Sequence, residues 1–185
     1  MKLTVNIRAG KRKSDAKEIR RKGNIPAIFY AVGRPCEMLE VDGSEFRAAL
    51  RHIKPGRLST TKFQFNLGAK ELRAIVKDIQ YDPVSYEIIH LDFEELVDNA
   101  PVKVKIPILC TGMAECSGIK LGGFLRQVIR SIKVECLPDL IPAEFFIDVS
   151  GLSIRQSKRL RDLEIPAGVK PLAPMDEVLV VIAKR

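Results

Sequence analysis

The sequence predicts a mainly β fold of the β-rich α+β type: a small, mostly antiparallel N-terminal β-barrel with short helices, then a second β-rich domain. Segments that alternate apolar and polar residues, as half-buried strands do, outnumber helical segments and follow one another at hairpin spacing. The 185 residues suffice for two modest cores. A polar stretch at residues 94–99, followed by Pro101, predicts domains at residues 1–94 and 95–185.

The first domain begins with an alternating segment at residues 2–8, which predicts a strand that Arg8 leaves on the solvent side. A loop from Gly10 to Ser14 follows it. The same two-residue period, with turns at Gly68-Ala69 and Asp82-Pro83, predicts five more strands. These strands lie at residues 25–30, 37–41, 61–67, 71–80 and 86–93.

Two short helices are predicted in this domain. Asp15, with Glu18 three residues later, has the spacing of a capping box, and Gly23 suits the end of that helix. Ser44 is the predicted cap of a second helix that runs to about residue 51. Because tryptophan is absent and only 6% of residues are aromatic, we expect neither core to be built on large rings.

The second domain is predicted to contain five strands, separated by proline and glycine turns, at residues 102–106, 132–136, 145–149, 160–165 and 178–182. One helix is predicted at residues 124–130. The glycine-rich residues 118–123 before it lack the spacing of a phosphate-binding loop, and we interpret them as a flexible hinge.

Metal and cofactor binding are not expected, because no cysteine pair has the two-residue spacing of zinc or redox sites. The candidate ligands are Cys36, Cys110, Cys116, Cys136, His52 and His90. Neither a signal peptide nor an apolar run long enough to cross a membrane is evident. We therefore expect a cytoplasmic protein with reduced cysteines and no membrane partner.

The net charge of +8 is distributed unevenly. A division after Phe93 leaves 18 basic and 11 acidic residues before it, and 13 basic and 12 acidic residues after it. Residues 8–22 are the densest part, with eight cations against Asp15 and Glu18. Only Ala16 and Ile19 are apolar between Lys11 and Lys22, which leaves no stripe to enter a lipid bilayer. A solvated charged face and a nucleic-acid contact are the alternatives that remain.

The strand at residues 86–93 carries His90 and Asp92 on the face opposite its core residues. Together with Gln80, they can present donors and acceptors to a base edge or a ribose hydroxyl. The alternative is a surface histidine beside a carboxylate that pairs with it. A hydrolase is not expected, because neither serine nor cysteine occurs in a nucleophile motif and no carboxylate cluster is evident. We therefore predict that the protein is not an enzyme and takes no small-molecule substrate.

Several motifs taken together resemble the bacterial ribosomal protein family that binds 5S rRNA, in its longer form, known as CTC or general stress proteins. In the first half they are Arg8, Lys13, residues 20–30 (RRKGNIPAIFY), residues 78–83 (DIQYDP) and residues 90–93 (HLDF). In the second half they are Gly122-Gly123, Leu137-Pro138, Ile141-Pro142 and residues 148–152 (DVSGL). The resemblance covers nearly the whole chain.

This resemblance implies a structural protein of the large ribosomal subunit whose barrel domain binds an irregular internal loop of 5S rRNA. Its other partners would be neighbouring large-subunit proteins. By position, the implied RNA-binding residues are Arg8, Lys13, Lys17, Arg20, Tyr30, Gln80, His90 and Asp92. The chain departs from the family pattern at Arg12-Lys13-Ser14, where Gly-Lys-Gly is usual, at Lys17-Glu18, where two arginines are usual, at Ala31, and at Arg155-Gln156.

Two other functions remain open from the sequence. One is a stress-regulated assembly protein whose second half recruits a protein partner, because that half is close to neutral when the chain is divided after Phe93. The other is an accessory domain that binds tRNA, since small β-barrels also bind anticodons. Both alternatives differ from the first in the partner that they predict.

Overall fold

The computed structural model describes residues 1–8, 12–30, 33–67 and 70–184, and at residues 67 and 70 only the backbone is considered. The predicted loop after Arg8 lies partly outside the described residues, as do the Gly68-Ala69 turn and Ala31. The chain forms two compact units, Met1–Ala100 and Pro101–Arg185.

The described residues of the first unit form seven strands and two α-helices. In chain order they are β1 (Lys2–Leu3), β2 (Val5–Ile7), α1 (Lys13–Arg21), β3 (Ile25–Tyr30), β4 (Glu37–Val41), α2 (Gly43–His52), β5 (Lys62–Leu67), β6 (Lys70–Tyr81) and β7 (Ile88–Glu95). The predicted β-rich barrel with two short helices is confirmed. The segment predicted as one strand at residues 2–8 is divided in two by Thr4.

The strands form one sheet in the order β1-β5-β6-β7-β3-β4-β2. The two strands at the ends of this order, β1 and β2, are consecutive in the chain. β1 pairs with β5 and β2 pairs with β4, and this closes the barrel. Thr4 lies at the changeover, where its backbone N–H donates to Glu45 Oε2 at 2.8 Å and its hydroxyl to Oε1 at 3.0 Å. Glu45 of α2 thus satisfies polar groups that the ladder leaves free.

Phenylalanine rings fill the barrel, contrary to the expectation of a core without large rings. All five phenylalanines of the first unit are no more than 2% exposed and pack against one another, three pairs of them edge to face. They are Phe29, Phe46, Phe63, Phe65 and Phe93. A low overall aromatic content therefore concealed a local concentration, and rings of this size fill the interior of a narrow barrel.

Both helices begin before the predicted caps, because the cap residue lies three positions earlier in α1 and two positions earlier in α2. Arg12 is the residue before α1, and its backbone N–H donates to Asp15 Oδ2 at 3.2 Å, so Asp15 lies within the first turn and is not the cap. Asp42, not Ser44, caps α2 and accepts from the backbone N–H groups of Ser44 and Glu45 at 2.8 and 3.1 Å. Hydrogen bonds from the Ser44 hydroxyl and the Glu45 N–H lower the pKa of Asp42.

The second unit contains a four-stranded and a three-stranded sheet, in the orders β11-β8-β10-β13 and β12-β14-β9. Its elements are β8 (Val102–Thr111), α3 (Ser117–Lys120), β9 (Phe124–Gln127), β10 (Ser131–Cys136), β11 (Phe145–Asp148), β12 (Ser157–Arg159), β13 (Lys170–Pro171) and β14 (Val178–Ala183). Its core consists mainly of aliphatic residues such as Ile106, Val134 and Leu179. The predicted β-rich second domain is confirmed.

Three local predictions in this unit are wrong. The helix predicted at residues 124–130 is strand β9, which pairs with β14, and the helix is the short α3 before it. The glycine segment is packed and is not a hinge, because a Cβ on Gly118 would lie 2.9 Å from Ile182 and from the Leu152 carbonyl oxygen. The strand predicted at residues 160–165 is a short 3-10 helix, Leu160–Asp162, that follows β12.

Candidate nucleic-acid interface

Helix α1 concentrates its cations on one exposed side. At 3.6 residues per turn, Lys13, Lys17, Arg20 and Arg21 fall within about a third of the helix circumference. All four are exposed, whereas Ile19 on the other side is buried. The helix packs against β3, so the barrel fixes the direction in which this cationic side faces.

Glu18 projects from a different part of the helix. It forms an ion pair with Lys22 at 2.8 Å, with both side chains about two-thirds exposed, and this pair raises the pKa of Lys22. At 3.6 residues per turn, Glu18 and Lys22 lie beside each other and away from Lys13 and Arg20. The acidic departure from the family pattern is therefore neutralised within its own helix and does not interrupt the cationic side.

A β-bulge in β6 determines which face of the sheet carries Gln80. Strict alternation from the buried Ala74 and Val76 would direct Gln80 into the barrel. The register shifts between Val76 and Asp78, so that Ile79 lies opposite the buried Leu91, and Gln80 lies opposite His90. Asp78 becomes the partner of Asp92 in the same way. Gln80 and Asp78 thus join the outward face of β7.

His90 and Asp92 contact each other on that face. His90 Nδ1 lies 2.8 Å from Asp92 Oδ1, and the two side chains are 16% and 23% exposed. Despite this proximity, His90 Nδ1 is buried and makes no hydrogen bond with the described residues, so the two side chains are close without being bonded. Tyr30 donates its hydroxyl to Asp92 Oδ2 at 3.3 Å. Burial, and after it the charge of Asp92, raises the pKa of Tyr30, so the phenol remains a hydrogen-bond donor at neutral pH.

Arg20 connects the helix to this strand. Its Nε donates to the carbonyl oxygen of Ile89 at 3.0 Å, directly beside His90. One side of its guanidinium is thereby fixed, and the remaining N–H groups are available to an anion. The cationic side of α1 and the polar face of β7 are therefore neighbours.

Arg8 belongs to the same outward row of the sheet. Its backbone N–H donates to Met38 O at 3.0 Å, Met38 lies opposite Ile28, and Ile28 lies opposite Asp92. Arg8 Nε is buried and has no hydrogen-bond partner among the residues that the structure describes. A guanidinium held in this way is a preformed site for an acceptor that comes from outside the chain.

Contacts and strand register thus connect Arg8, Arg20, Tyr30, Gln80, His90 and Asp92, and Lys13 and Lys17 lie on the same side of α1 as Arg20. We call these eight residues of the first unit the basic-polar surface. Its members are Arg8, Lys13, Lys17, Arg20, Tyr30, Gln80, His90 and Asp92. The sequence reasoning did not single out Asp78 or Arg21 as site residues. The loss of alternation at Val76-Lys77-Asp78 was the signal for the bulge that exposes Asp78.

Other kinds of site find little support among the described residues. No group of three or more histidine, cysteine or acidic side chains is arranged to hold a metal ion in the described part of the chain. Cys36, Cys110, Cys116 and Cys136 are all free thiols. None of the described helices combines the length and the apolar character that crossing a bilayer requires.

Comparison with known proteins identifies relatives of both units. Residues 3–93 match the Ribosomal L25p family, and residues 101–185 match the family described as Ribosomal protein TL5, C-terminal domain. The chain is 43% identical over 185 residues to the large ribosomal subunit protein bL25 of Chlamydia abortus. It is 42% identical over 185 residues to that of Chlamydia pneumoniae, and each comparison covers the whole of both chains.

Proposed function

The chain belongs to the bL25 family of large ribosomal subunit proteins, and from this premise we propose that its first unit binds 5S rRNA through the basic-polar surface. As a member of this family it is a structural, non-enzymatic constituent of the large subunit, associated with ribosomes in the cytoplasm. The identity of the RNA and the residues that bind it are the proposal.

The observation that carries the proposal is the bond between Arg20 and Ile89. It joins a helix side rich in cations to a strand face rich in donors and acceptors, so that a single RNA element can contact both. Neither half would suffice alone, because phosphate contacts give affinity without selectivity. A polar strand face without cations would have little attraction for a polyanion.

The cations and the polar strand face of this surface have different roles. Lys13, Lys17, Arg20 and Arg8 neutralise phosphates and fix the register of the protein on the RNA. Gln80, His90 and Asp92 contact base edges and 2′-hydroxyl groups in a shallow or widened groove. Because Asp92 is an anion, it accepts from a hydroxyl or an exocyclic amine and repels phosphates, which makes the strand face selective for groove edges.

Titration of labelled 5S rRNA with the full chain tests the proposal, with tRNA as the competitor. We expect a dissociation constant below about 1 μM at moderate salt and clearly weaker binding to tRNA. With about five phosphate contacts, log K should fall against log salt with a slope of about −3.5 to −4.5. Equal affinity for tRNA would favour the alternative of a tRNA-binding accessory domain.

Two single variants provide a matched comparison. Arg20→Gln removes a cation from the surface, and Lys22→Gln removes one that is paired with Glu18 on another part of the same helix. We expect Arg20→Gln to weaken binding about 10-fold or more and Lys22→Gln to change it less than about threefold. Similar losses from both would contradict a defined surface.

Sedimentation separates the ribosomal role from a role in recruiting partners. In a sucrose gradient of cell extract we expect the protein in the large-subunit fraction, and the Arg20→Gln variant reduced there. If the variant co-sediments as well as the wild type does, attachment depends on contacts other than the basic-polar surface.

A further inference from the structure

A cleft opens at one end of the barrel, beside the basic-polar surface. It has a volume of about 570 Å³ and lies between the ends of α1 and α2 and the turn that joins β6 to β7. Its walls include Arg20, Arg47, Leu50, Tyr81, Tyr86 and Ile88. Arg20 belongs to both the cleft and the basic-polar surface, whereas Ile88 packs against the barrel core, so the cleft lies at the end of the barrel and adjoins the outward face.

Two tyrosine rings are presented to solvent at this cleft. Tyr86 is 78% exposed and Tyr81 is 49% exposed, so neither ring is part of the core. Tyr86 has a φ of 57°, in the left-handed region that glycine adopts more readily. A large exposed ring at a position suited to glycine points to a contact that the ring makes outside the chain.

The turn that holds Tyr86 is rigid. Asp82 Oδ1 accepts from the backbone N–H groups of Val84 and Ser85, each at 2.9 Å. The backbone N–H of Tyr86 donates to Asp82 O at 2.9 Å, and that of Asp82 donates to Glu87 O at 2.8 Å. The bonds from the N–H groups of Ser85 and Val84 lower the pKa of Asp82 and direct its charge into the turn. The rings are therefore placed before any ligand arrives.

The cleft combines these rings with two guanidinium groups. Arg20 contributes the N–H groups that its bond to Ile89 leaves free, and Arg47 comes from α2 on another wall. Leu50 and Ile88 form an apolar floor, and Glu87 supplies an acceptor at the rim. Apolar walls, aromatic faces and two guanidinium groups together match one nucleotide, which has a flat base and an anionic phosphate.

We propose that this cleft binds a single unpaired nucleotide of the RNA, with its base packed against Tyr81 and Tyr86 and its phosphate bound by Arg20 and Arg47. The inference rests on the proposed function and extends it from groove contacts to one nucleotide outside the helix. An unpaired base offers a free face for stacking, which a paired base within a continuous stack does not. A segment of a neighbouring protein is the competing occupant.

Fluorine NMR of protein labelled with 3-fluorotyrosine tests this directly, because the chain has three tyrosines and no tryptophan. Tyr30 lies on the basic-polar surface, and Tyr81 and Tyr86 lie at the cleft, so each resonance reports on one proposal. On addition of 5S rRNA to the full chain we expect all three resonances to shift. A shift of Tyr30 alone would overturn the cleft proposal and leave the proposed function intact. The absence of any shift would overturn both.

Tyr86→Gly separates binding from folding, because the two effects should have opposite signs. Glycine relieves the positive φ, so the variant should unfold at the same or a higher temperature than the wild type. Loss of the ring should weaken binding of 5S rRNA about 5- to 30-fold. Tyr86→Phe keeps the ring and should bind within about twofold of the wild type.

Arg47→Gln completes the set, since Arg47 belongs to the cleft and not to the basic-polar surface. We expect it to weaken binding of 5S rRNA about threefold to 10-fold. If Tyr86→Gly and Arg47→Gln both bind RNA as the wild type does, the cleft binds no nucleotide. If binding to isolated 5S rRNA is unchanged but assembly into the large subunit fails, the occupant is a protein.

Discussion

The two units carry the same net charge but arrange it differently. Divided at Ala100, the first unit has 18 basic and 14 acidic residues, and the second has 13 and 9, so each has a net charge of +4. The asymmetry inferred by dividing the chain after Phe93 therefore depends on three acidic residues, Glu94, Glu95 and Asp98, that the structure assigns to the first unit. The idea of a neutral second half, and the argument for partner recruitment built on it, lose their basis.

What distinguishes the first unit is that its cations are grouped on one side of α1, beside the polar face of β7. In the second unit the densest basic segment, residues 155–161, has four cations, but Arg159 and Arg161 both contact Asp176 at 3.4 and 3.5 Å. Their positive charge is partly compensated within the unit. Net charge thus measures general attraction to polyanions, whereas a binding site requires cations that face one direction and remain uncompensated.

The largest expected effect comes from removing four cations in each unit and comparing the results. Changing Lys13, Lys17, Arg20 and Arg21 to glutamine should lower affinity for 5S rRNA about 1,000-fold at 0.1 M salt and reduce the salt slope by about 3. The matched variant in the second unit changes Arg155, Lys158, Arg159 and Arg161 to glutamine. We expect it to alter affinity less than about fivefold. Equal losses in a titration would show that only net charge matters.

A smaller effect is expected from Asp92→Asn, which tests the strand face without removing a cation. The change removes the charge that faces His90 and weakens the acceptor of the Tyr30 hydroxyl, and it should weaken binding about 10-fold. Because no phosphate contact is lost, the salt slope should stay within about 0.3 of the wild-type value. A changed slope would mean that Asp92 acts through phosphate contacts. The pKa of Tyr30 should also fall towards its ordinary value, which a spectrophotometric titration would measure.

The stability of each unit can be measured separately with a variant of one aspartate in that unit. Asp42→Ala removes the cap of α2 and should destabilise the first unit by about 1 kcal/mol at pH 7, whereas Asp42→Asn should cost less. The folded pKa of Asp42 is lowered, so its contribution is complete above the unfolded pKa of about 4 and is lost as the pH falls through the folded value. Urea unfolding at pH 7 and pH 3 would measure the difference.

Tyrosine fluorescence makes that measurement specific, because all three tyrosines lie in the first unit. Asp148→Ala provides the counterpart in the second unit, where hydrogen bonds from Ser150 lower the pKa of Asp148. We expect it to leave the unfolding curve detected by tyrosine unchanged. A shift of that curve would show that the units do not unfold independently.

The smallest expected effect is that of Glu18→Arg, which restores the family pattern on α1. The change frees Lys22 from its ion pair and adds a cation beside the cationic side of the helix. We expect affinity for 5S rRNA to rise about two- to threefold. Weaker binding would mean that Glu18 itself contacts the RNA.

Sequence patterns predicted the strands of the barrel well where buried residues alternate with more exposed ones, as in β5 and β7. They failed where a contact distant in sequence decides the local structure. Residues 124–127 form a strand because β14, more than fifty residues later, supplies its ladder partner. Gln80 faces outward because of one extra residue in β6, which no propensity indicates.

The candidate site likewise has features that the sequence indicates and features that depend on distant contacts. The cations of α1 could be found from the sequence, since a helix of known register fixes their direction. The pairing of Arg20 with Ile89 could not, because it joins residues 69 apart. Likewise, the cleft depends on the approach of two helices to one turn, and Tyr81 and Tyr86 looked like ordinary members of a hairpin. The residue types were evident, but their proximity was not.

The split amino-terminal segment has a consequence for the order in which the barrel assembles. β1 and β2 precede the other strands of the barrel, yet β1 can pair only after β5 has appeared some sixty residues later. Until then the seam stays open and the phenylalanine interior is reachable by solvent. Chain elongation therefore sets the time at which this protein can first shield its interior, and that time comes only after β7, the last strand of the barrel in chain order, has emerged to join β3 and β6.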